Sequence, residues 1–426
     1  HLGAAGGVMI TASHNPPEYN GYKIYNSEGC QCGLGETAEV IKCISAVGDP
    51  LDIRSLGIDE ANGLIGILDD SIDEEYYRAV EAISLRRVNT GDLRVVYSPQ
   101  HGTGNIPVRH VLADLGYDVV PVEKQCTPDP DFSATKSPNP ESPLAYEAAL
   151  ELADKVNSDI VITTDPDCDR LGVAARDSDG ALRLMTGNQS GAVLIEYILS
   201  THRSRGTMPE RAVMVNTIVT SDLGDRICES YGVKVEKTLT GFKFIGERIA
   251  RHLAMHDANY VFGYEESYGC LIGDFVRDKD AVQASLMLCE AAAYYKKHGK
   301  TLIDVLGELY ARFGFYLDTQ SNFFFRGADG QKKIAALTAG LRREHPTEVA
   351  GAKLKRMEDY TSEETQAEGF PSSDVLRFVF NDGCWVAVRP SGTEPKCKFY
   401  YCVRADDEAA AKEKLAALRA AFEPRD

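Results

Sequence analysis

Residues 11–16 read T-A-S-H-N-P, with Ser13 flanked by His14 and Asn15 and followed by Pro16 and Pro17. The apolar run 8–10 before it reads as a short buried strand, and Asn15-Pro16-Pro17 ends regular structure at once. Ser13 is therefore predicted on a rigid loop just past a strand end, where α/β sheets place their chemistry. For these residues alone, an ordinary N-P-P turn fits as well.

A second cluster reads D-P-D-C-D-R at 165–170, directly after an apolar strand-like run. At extended spacing alternate side chains point the same way, so Asp165, Asp167 and Asp169 would converge on one point. Their mutual repulsion is offset only by a cation, and an all-oxygen ligand set suits Mg²⁺ or Ca²⁺. A calcium EF-hand loop needs Gly at its sixth position and Glu at its twelfth, whereas Arg170 and Arg176 stand there, so that reading fails. A phosphatase-type D-x-D nucleophile leaves the third aspartate and the serine loop without a role.

Four further segments carry weaker signals. Gly263-Tyr264-Glu265-Glu266-Ser267 follows a strand and offers carboxylates and a hydroxyl suited to the vicinal hydroxyls of a sugar. In R-P-S-G-T-E-P-K at 389–396, Arg389 suits a bidentate phosphate clamp, and Ser391, Gly392 and Thr393 supply hydroxyls and unhindered N–H groups for an anion nest. Lys243, in Gly241-Phe242-Lys243 before a helix, is a candidate phosphate contact. The turn His101-Gly102-Thr103-Gly104 either presents N–H groups to a phosphate or is purely structural.

The elements that must position these groups alternate in type, which implies α/β layers. Strands are predicted at 93–98, 118–122 and 160–164, helices at 106–115 and 144–156, and a proline-rich loop at 127–143. The rhythm repeats with strands at 212–219, 233–239 and 259–262 and helices at 221–231, 242–255, 281–297 and 302–313, Ser221 being an N-cap and Gly232 a C-terminal stop. The last part changes to strands at 315–325, 375–380, 384–388 and 398–403 and a helix at 406–422, an antiparallel sheet with helices on one face. The expected fold is multi-domain α/β, with three related units built on mixed sheets, the first incomplete, and a C-terminal α+β domain. The units are 1–88, 89–185, 186–316 and 317–426.

The chain has 426 residues and a net charge of −18, which argues against nucleic acid or an anionic membrane surface as partner. An anionic substrate must then be met by local cations. No apolar run reaches membrane-spanning length. Eleven cysteines show no disulfide-like or C-x-x-C spacing and read as reduced thiols, which points to the cytoplasm. Oligomeric state has no signature here.

The four segments at 11–16, 165–170, 263–267 and 389–396 resemble, in order and spacing, those of the α-D-phosphohexomutases, and the resemblance spans the whole chain. The phrase T-L-T-G-F-K at 238–243 is most similar to the branch that includes phosphopentomutases. The resemblance implies an isomerase that moves a phosphoryl group through phosphorylated Ser13 and a bisphosphorylated sugar, interconverting glucose 1-phosphate and glucose 6-phosphate. A phosphoserine carries about −1.5 to −2 charge, which a metal and nearby cations must neutralise during transfer.

By resemblance, Asp165, Asp167 and Asp169 hold Mg²⁺ with the phosphoserine oxygen of Ser13, and Arg170 touches substrate or phosphoserine. Lys23 assists as acid or base, and His14 orients the phosphoserine. Glu265 and Ser267 bind sugar hydroxyls, although Tyr264 before the acids leaves Glu266 as an alternative to Glu265. Arg389, Ser391, Gly392 and Thr393 hold the non-reacting phosphate, Lys243 contacts substrate, and glucose 1,6-bisphosphate is activator and intermediate. Mannose or pentose phosphates are the alternative substrates, and a non-catalytic sugar-phosphate-binding protein is the competing class. The family carries a segment ahead of the serine loop, so the opening at His1 implies a remnant of the first domain.

Overall fold

The structure is a computed structural model, and it describes residues 1–424 other than 54, 87, 89, 326, 328 and 392–394. The serine loop is carried by an antiparallel ribbon of β1 (Gly6–Ile10) and β2 (Tyr22–Asn26), in which Met9 stands opposite Lys23. Val8 and Ile10 are about two-thirds exposed, at 66% and 68%, where the sequence led us to expect a buried strand. Among the described residues no layer covers these side chains. The Tyr25 hydroxyl ties the ribbon to the third unit by donating to Asp278 Oδ2 at 3.1 Å, and just after β2 the Cys30 thiol donates to the Gly246 carbonyl at 3.8 Å. Helix Leu34–Ser45 follows and buries no residue. Helix Ser71–Ala82 packs instead on helices Asn105–Asp114 and Ala281–Lys297.

The second unit is a five-stranded sheet from β3 (Arg94–Ser98), β4 (Asp118–Pro121), β5 (Ile160–Thr164), β6 (Leu171–Arg176) and β7 (Leu182–Met185). In spatial order β4-β3-β5-β6-β7, the first three strands are parallel and the last two antiparallel. Every residue of β5 is buried, as befits a central strand that ends at the carboxylate loop. Helix Gly187–Arg205 is not marked by the sequence pattern, because it opens on the weak helix formers Gly187, Asn188, Ser190 and Gly191 and shows no single apolar stripe.

The third unit contains β8 (Ala212–Thr217), β9 (Lys234–Thr238), β10 (Asn259–Tyr264) and β11 (Cys270–Leu271) in the order β11-β10-β8-β9. Strands β10, β8 and β9 are parallel, so their C-terminal ends share one edge. Ser221 caps helix Asp222–Tyr231 by accepting from Leu223 N, and Gly232 closes it with φ 73°, as its sequence signals require.

The C-terminal unit is a six-stranded antiparallel sheet: β12 (Phe315–Phe324), β13 (Glu348–Val349), β14 (Ala352–Asp359), β15 (Leu376–Phe380), β16 (Trp385–Pro390) and β17 (Lys396–Ala405). Strand alternation divides its side chains. Leu376, Phe378, Phe399 and Tyr401 join helices Gly330–Arg343 and Glu408–Phe422, while Val379, Trp385, Tyr400 and Cys402 join the core shared with the other units. Arg377 lies on that second face, 3.3 Å from Asp222, 3.2 Å from Glu358 and over the Trp385 ring, and so ties the sheet to the third unit.

Candidate active site

Ser13 has φ 53°, a left-handed conformation uncommon for a residue with a Cβ. The loop holds it there. Thr11 N–H donates to Gly21 O at 3.0 Å, Asn15 N–H to Ala12 O at 3.1 Å, and Ser13 N–H to Thr11 Oγ1 at 2.8 Å. Thr11 Oγ1 then donates to Asp167 Oδ2 at 3.1 Å, so the serine loop is hydrogen-bonded to the carboxylate loop. Ser13 Oγ donates to Asp165 Oδ2 at 3.0 Å and lies 3.0 Å from His14 Nδ1.

The three aspartates converge, but not along an extended strand as their spacing suggested. The chain turns: Cys168 N–H donates to Asp165 O at 2.9 Å, Cys168 has φ 56°, and Asp165 Oδ1 accepts from Asp169 N at 3.0 Å and Arg170 N at 2.9 Å. This fold-back brings one oxygen of each carboxylate within 4.8 Å of the others. Asp167 Oδ1 and Asp169 Oδ1 are buried without a hydrogen-bond partner. Three converging carboxylates, two of them with an orphaned oxygen, and no nitrogen or sulfur donor fit a hard divalent cation.

The turn at 101–104 braces this loop. His101, Gly102 and Thr103 N–H groups donate to the carbonyls of Gln125, Pro99 and Pro166, and a Cβ on Gly102 would come 2.5 Å from Pro166 Cα. Those N–H groups are therefore not free for a phosphate, and the structural alternative holds at this turn.

Cations surround the carboxylates. Lys23 Nζ is 2.8 Å from Asp169 Oδ2 and 3.4 Å from Asp167 Oδ2. Lys279 Nζ is 2.6 Å from Asp169 Oδ2, and Arg170 Nη1 is 2.7 Å from Glu141 Oε1. Lys279 was missed in the sequence; its signal is the charged run Arg277-Asp278-Lys279-Asp280 before an apolar helix. Burial opposes a charge on Asp169, yet Lys279, Lys23 and Arg170 hold its carboxyl below the usual range. Asp165 is raised by burial and by its two neighbouring aspartates. Burial, with the Arg170 charge added, pushes His14 down to about 4, so the imidazole beside Ser13 is neutral at pH 7. Burial and Lys279 oppose the Lys23 charge, but Asp169 and Asp167 prevail and raise its pKa.

The sugar loop meets the same region. Leu171 N–H donates to Tyr268 O at 3.0 Å and Ala281 N–H to Cys168 O at 3.1 Å. Glu265 is buried, and its Oε1 accepts from Gly241 N at 2.8 Å, which ties it to the turn before helix Phe242–Met255. Lys243 stands in the first turn of that helix, 5.0 Å from the Phe244 ring centroid, and Ser267 is half-buried two residues after Glu265. Glu266 Oε2 accepts from Thr217 at 3.2 Å and Thr220 at 3.4 Å, contacts within its own unit.

Arg389, the second-last residue of β16, stands opposite Lys398 of β17, and Ser391 N–H donates to Lys396 O at 2.8 Å. Gly392 and Thr393 lie outside the described residues. A cavity of about 500 Å³ separates the serine loop from this sheet, with His14, Asn15, Glu141, Asn322, Lys396 and Lys398 among its lining residues.

Glu266 carries a pH consequence. Burial, then the Glu265 charge, pushes it from an ordinary 4.5 up to about 7. A raised carboxyl means the folded state keeps a proton that the unfolded chain has released. This contribution to stability is complete below about pH 4.5 and is lost as the pH rises through about 7. Glu266→Gln is expected to flatten the fall in unfolding temperature between about pH 5 and about pH 7.5. Thermal melts across that range measure it, and a slope equal to the parent's would refute it.

Family models of the phosphoglucomutase/phosphomannomutase alpha/beta/alpha domains match residues 1–49 (domain I), 74–180 (domain II) and 186–313 (domain III), and the C-terminal domain model matches 342–420. Domain I, which the sequence reading took for a remnant, is thus represented by its own match and carries the serine loop. The phosphoglucomutase of Staphylococcus aureus strain MRSA252 is 39% identical over 428 residues, covering 98% of this chain and 76% of that protein.

Among solved structures, a putative phosphomannomutase from Thermus thermophilus aligns with TM-score 0.70 and 23% identity, covering 100% of this chain and 80% of that one. The N-acetylphosphoglucosamine mutase of Aspergillus fumigatus, solved with GlcNAc-6P and magnesium, aligns with TM-score 0.57 and 15% identity over 99% of this chain and 90% of that one. These two likenesses concern the fold. The identity to the curated relative and the four domain matches go further, and with a serine loop hydrogen-bonded to a carboxylate triad they place this chain in the phosphoglucomutase/phosphomannomutase family.

Proposed function

We propose that the enzyme interconverts glucose 1-phosphate and glucose 6-phosphate through phosphorylated Ser13 and glucose 1,6-bisphosphate, with Mg²⁺ held by Asp165, Asp167, Asp169 and the phosphoserine. The observation that carries this reading is the 3.0 Å contact of Ser13 Oγ with Asp165, which sets the serine oxygen at the edge of the carboxylate triad. Bound there, the cation would supply charge neutralisation for the transferring phosphoryl group.

The chain's own residues do the rest. A free sugar hydroxyl attacks phosphorus in line: its O–P bond forms, the bond from phosphorus to Ser13 Oγ breaks, and the hydroxyl's proton ends on the departing serine oxygen. Lys23, kept protonated by Asp169 and Asp167, faces the charge that gathers on the leaving serine oxygen. The neutral His14 imidazole is 3.0 Å from that oxygen and orients it. Glu265 and Ser267 bind sugar hydroxyls, Lys243 and Lys279 add positive charge, and Arg389, Ser391, Gly392 and Thr393 take the distal phosphate. When the bisphosphate turns over, Ser13 Oγ attacks the phosphorus at the other end of the sugar, the bond from that phosphorus to the sugar oxygen breaks, and the serine proton ends on that oxygen, so the phosphoserine is restored. No helix among the described residues is long and apolar enough to cross a membrane, and the cysteines are free, which supports a reducing cytoplasmic setting.

The test is a coupled assay with glucose 1-phosphate, Mg²⁺ and a trace of glucose 1,6-bisphosphate, read as glucose 6-phosphate. Turnover supports the reading. Turnover of mannose or pentose 1-phosphates alone would move the specificity, and none with any of them would leave a binding role.

A further inference from the structure

We infer that Glu141, on the proline-rich loop of the second unit, is a positioning residue that holds the Arg170 guanidinium off the aspartate triad. The inference rests on the mutase reading. Arg170 follows the carboxylate loop directly, and among the described residues the 2.7 Å contact to Glu141 Oε1 is the hydrogen bond its guanidinium makes. Its Nε is buried without a partner and lies 3.9 Å from Asp165 Oδ2 and 3.8 Å from Asp169 Oδ1. Those distances are just beyond hydrogen bonding. A small swing of the side chain would close them and seat a cation on Asp169 Oδ1, an oxygen otherwise orphaned and available to a metal. Glu141 pulls from the other side.

Glu141 is itself firmly placed. Its N–H donates to Asn139 Oδ1 at 2.9 Å, and the preceding Pro140 carbonyl accepts from the buried Tyr146 hydroxyl at 3.0 Å. Pro138, Pro140 and Pro143 restrict the loop on both sides. The carboxylate is 27% exposed and lines the cavity shared with His14 and Lys398. Surface ion pairs between mobile side chains contribute little. Here one partner is anchored by its backbone and the other stands next to the reacting groups, so the pair sets geometry.

The experiment is a double-mutant cycle of Glu141→Ala, Arg170→Ala and both together, with Glu141→Gln as a shape-preserving variant should the alanine fail to fold. Two quantities are read on each: steady-state kinetics with glucose 1-phosphate, and Mn²⁺ affinity of the resting enzyme by electron paramagnetic resonance. Glu141→Ala is expected to lower kcat by about tenfold with little change in KM, and to weaken Mn²⁺ by about three- to tenfold. In the Arg170→Ala background the same substitution should change neither, so the double variant matches Arg170→Ala. Independent, multiplying losses would overturn the inference, and so would unchanged Mn²⁺ affinity in Glu141→Ala. If the parent turns over no sugar phosphate, the mutase reading fails, while the Mn²⁺ cycle still decides the role of Glu141.

Discussion

Ser13→Ala is expected to lower sugar phosphate turnover by more than about a thousandfold, the scale on which removal of a covalent nucleophile acts. The side chain carries one hydrogen bond to Asp165 and one contact to His14, and the loop around it is held by backbone bonds and Thr11. The variant should therefore fold normally and still bind Mn²⁺ at the triad. The phosphoenzyme itself offers a second measurement. Incubation with ³²P-labelled glucose 1,6-bisphosphate should label the parent protein and leave Ser13→Ala unlabelled. Appreciable turnover or labelling of Ser13→Ala would show that the phosphoryl carrier lies elsewhere.

The second large effect concerns the carboxylates. Asp167 Oδ2 is occupied by Thr11 and, at longer range, by Lys23, whereas Oδ1 is buried and unpartnered. Asp167→Asn keeps the shape and removes the charge. It is expected to cost more than about a hundredfold in turnover at ordinary Mg²⁺ concentrations, with a raised Mg²⁺ requirement. EDTA should silence the parent enzyme, and restored Mg²⁺ should recover it. The unfolding midpoint of the variant in EDTA should stay near the parent's, because one of three mutually repelling carboxylates has gone. Full activity of Asp167→Asn, or insensitivity of the parent to EDTA, would remove the metal from the mechanism. Lys23 and Lys279 sit 2.8 and 2.6 Å from Asp169, so the two ammoniums and not a metal would then be the cations that matter.

Much of the fold was legible because its local signals are strong. The helix bounded by Ser221 and Gly232 has a cap and a stop whose chemistry permits few alternatives. Strand Ile160–Thr164 is an apolar run that ends at aspartates, and helices Phe242–Met255, Ala281–Lys297 and Leu302–Phe313 carry continuous helical patterns. Helix Gly187–Arg205 was not legible, since it opens on Gly187, Asn188, Ser190 and Gly191, which are weak helix formers, and shows no single apolar stripe. Strands β13 and β14 escaped as well; β14 is largely polar and partly exposed, so no alternation marks it.

For the site, the all-oxygen triad permits few chemistries, whereas the serine loop and the arginine-hydroxyl loop each also fit a plain turn and take their roles from the family resemblance of the segments in order. These were properties of the sequence by itself, together with the apolar strands that precede the carboxylate and sugar loops. The tertiary structure alone decided how they meet. Ser13 and Asp165 are 152 residues apart and share a hydrogen bond, while Lys279 reaches Asp169 across 110 residues. The fold-back at Cys168 and the partnering of Arg170 by Glu141 belong to the same class. Local propensity sets which elements form, but contacts over such separations depend on how the layers pack and where burial leaves a charge without water.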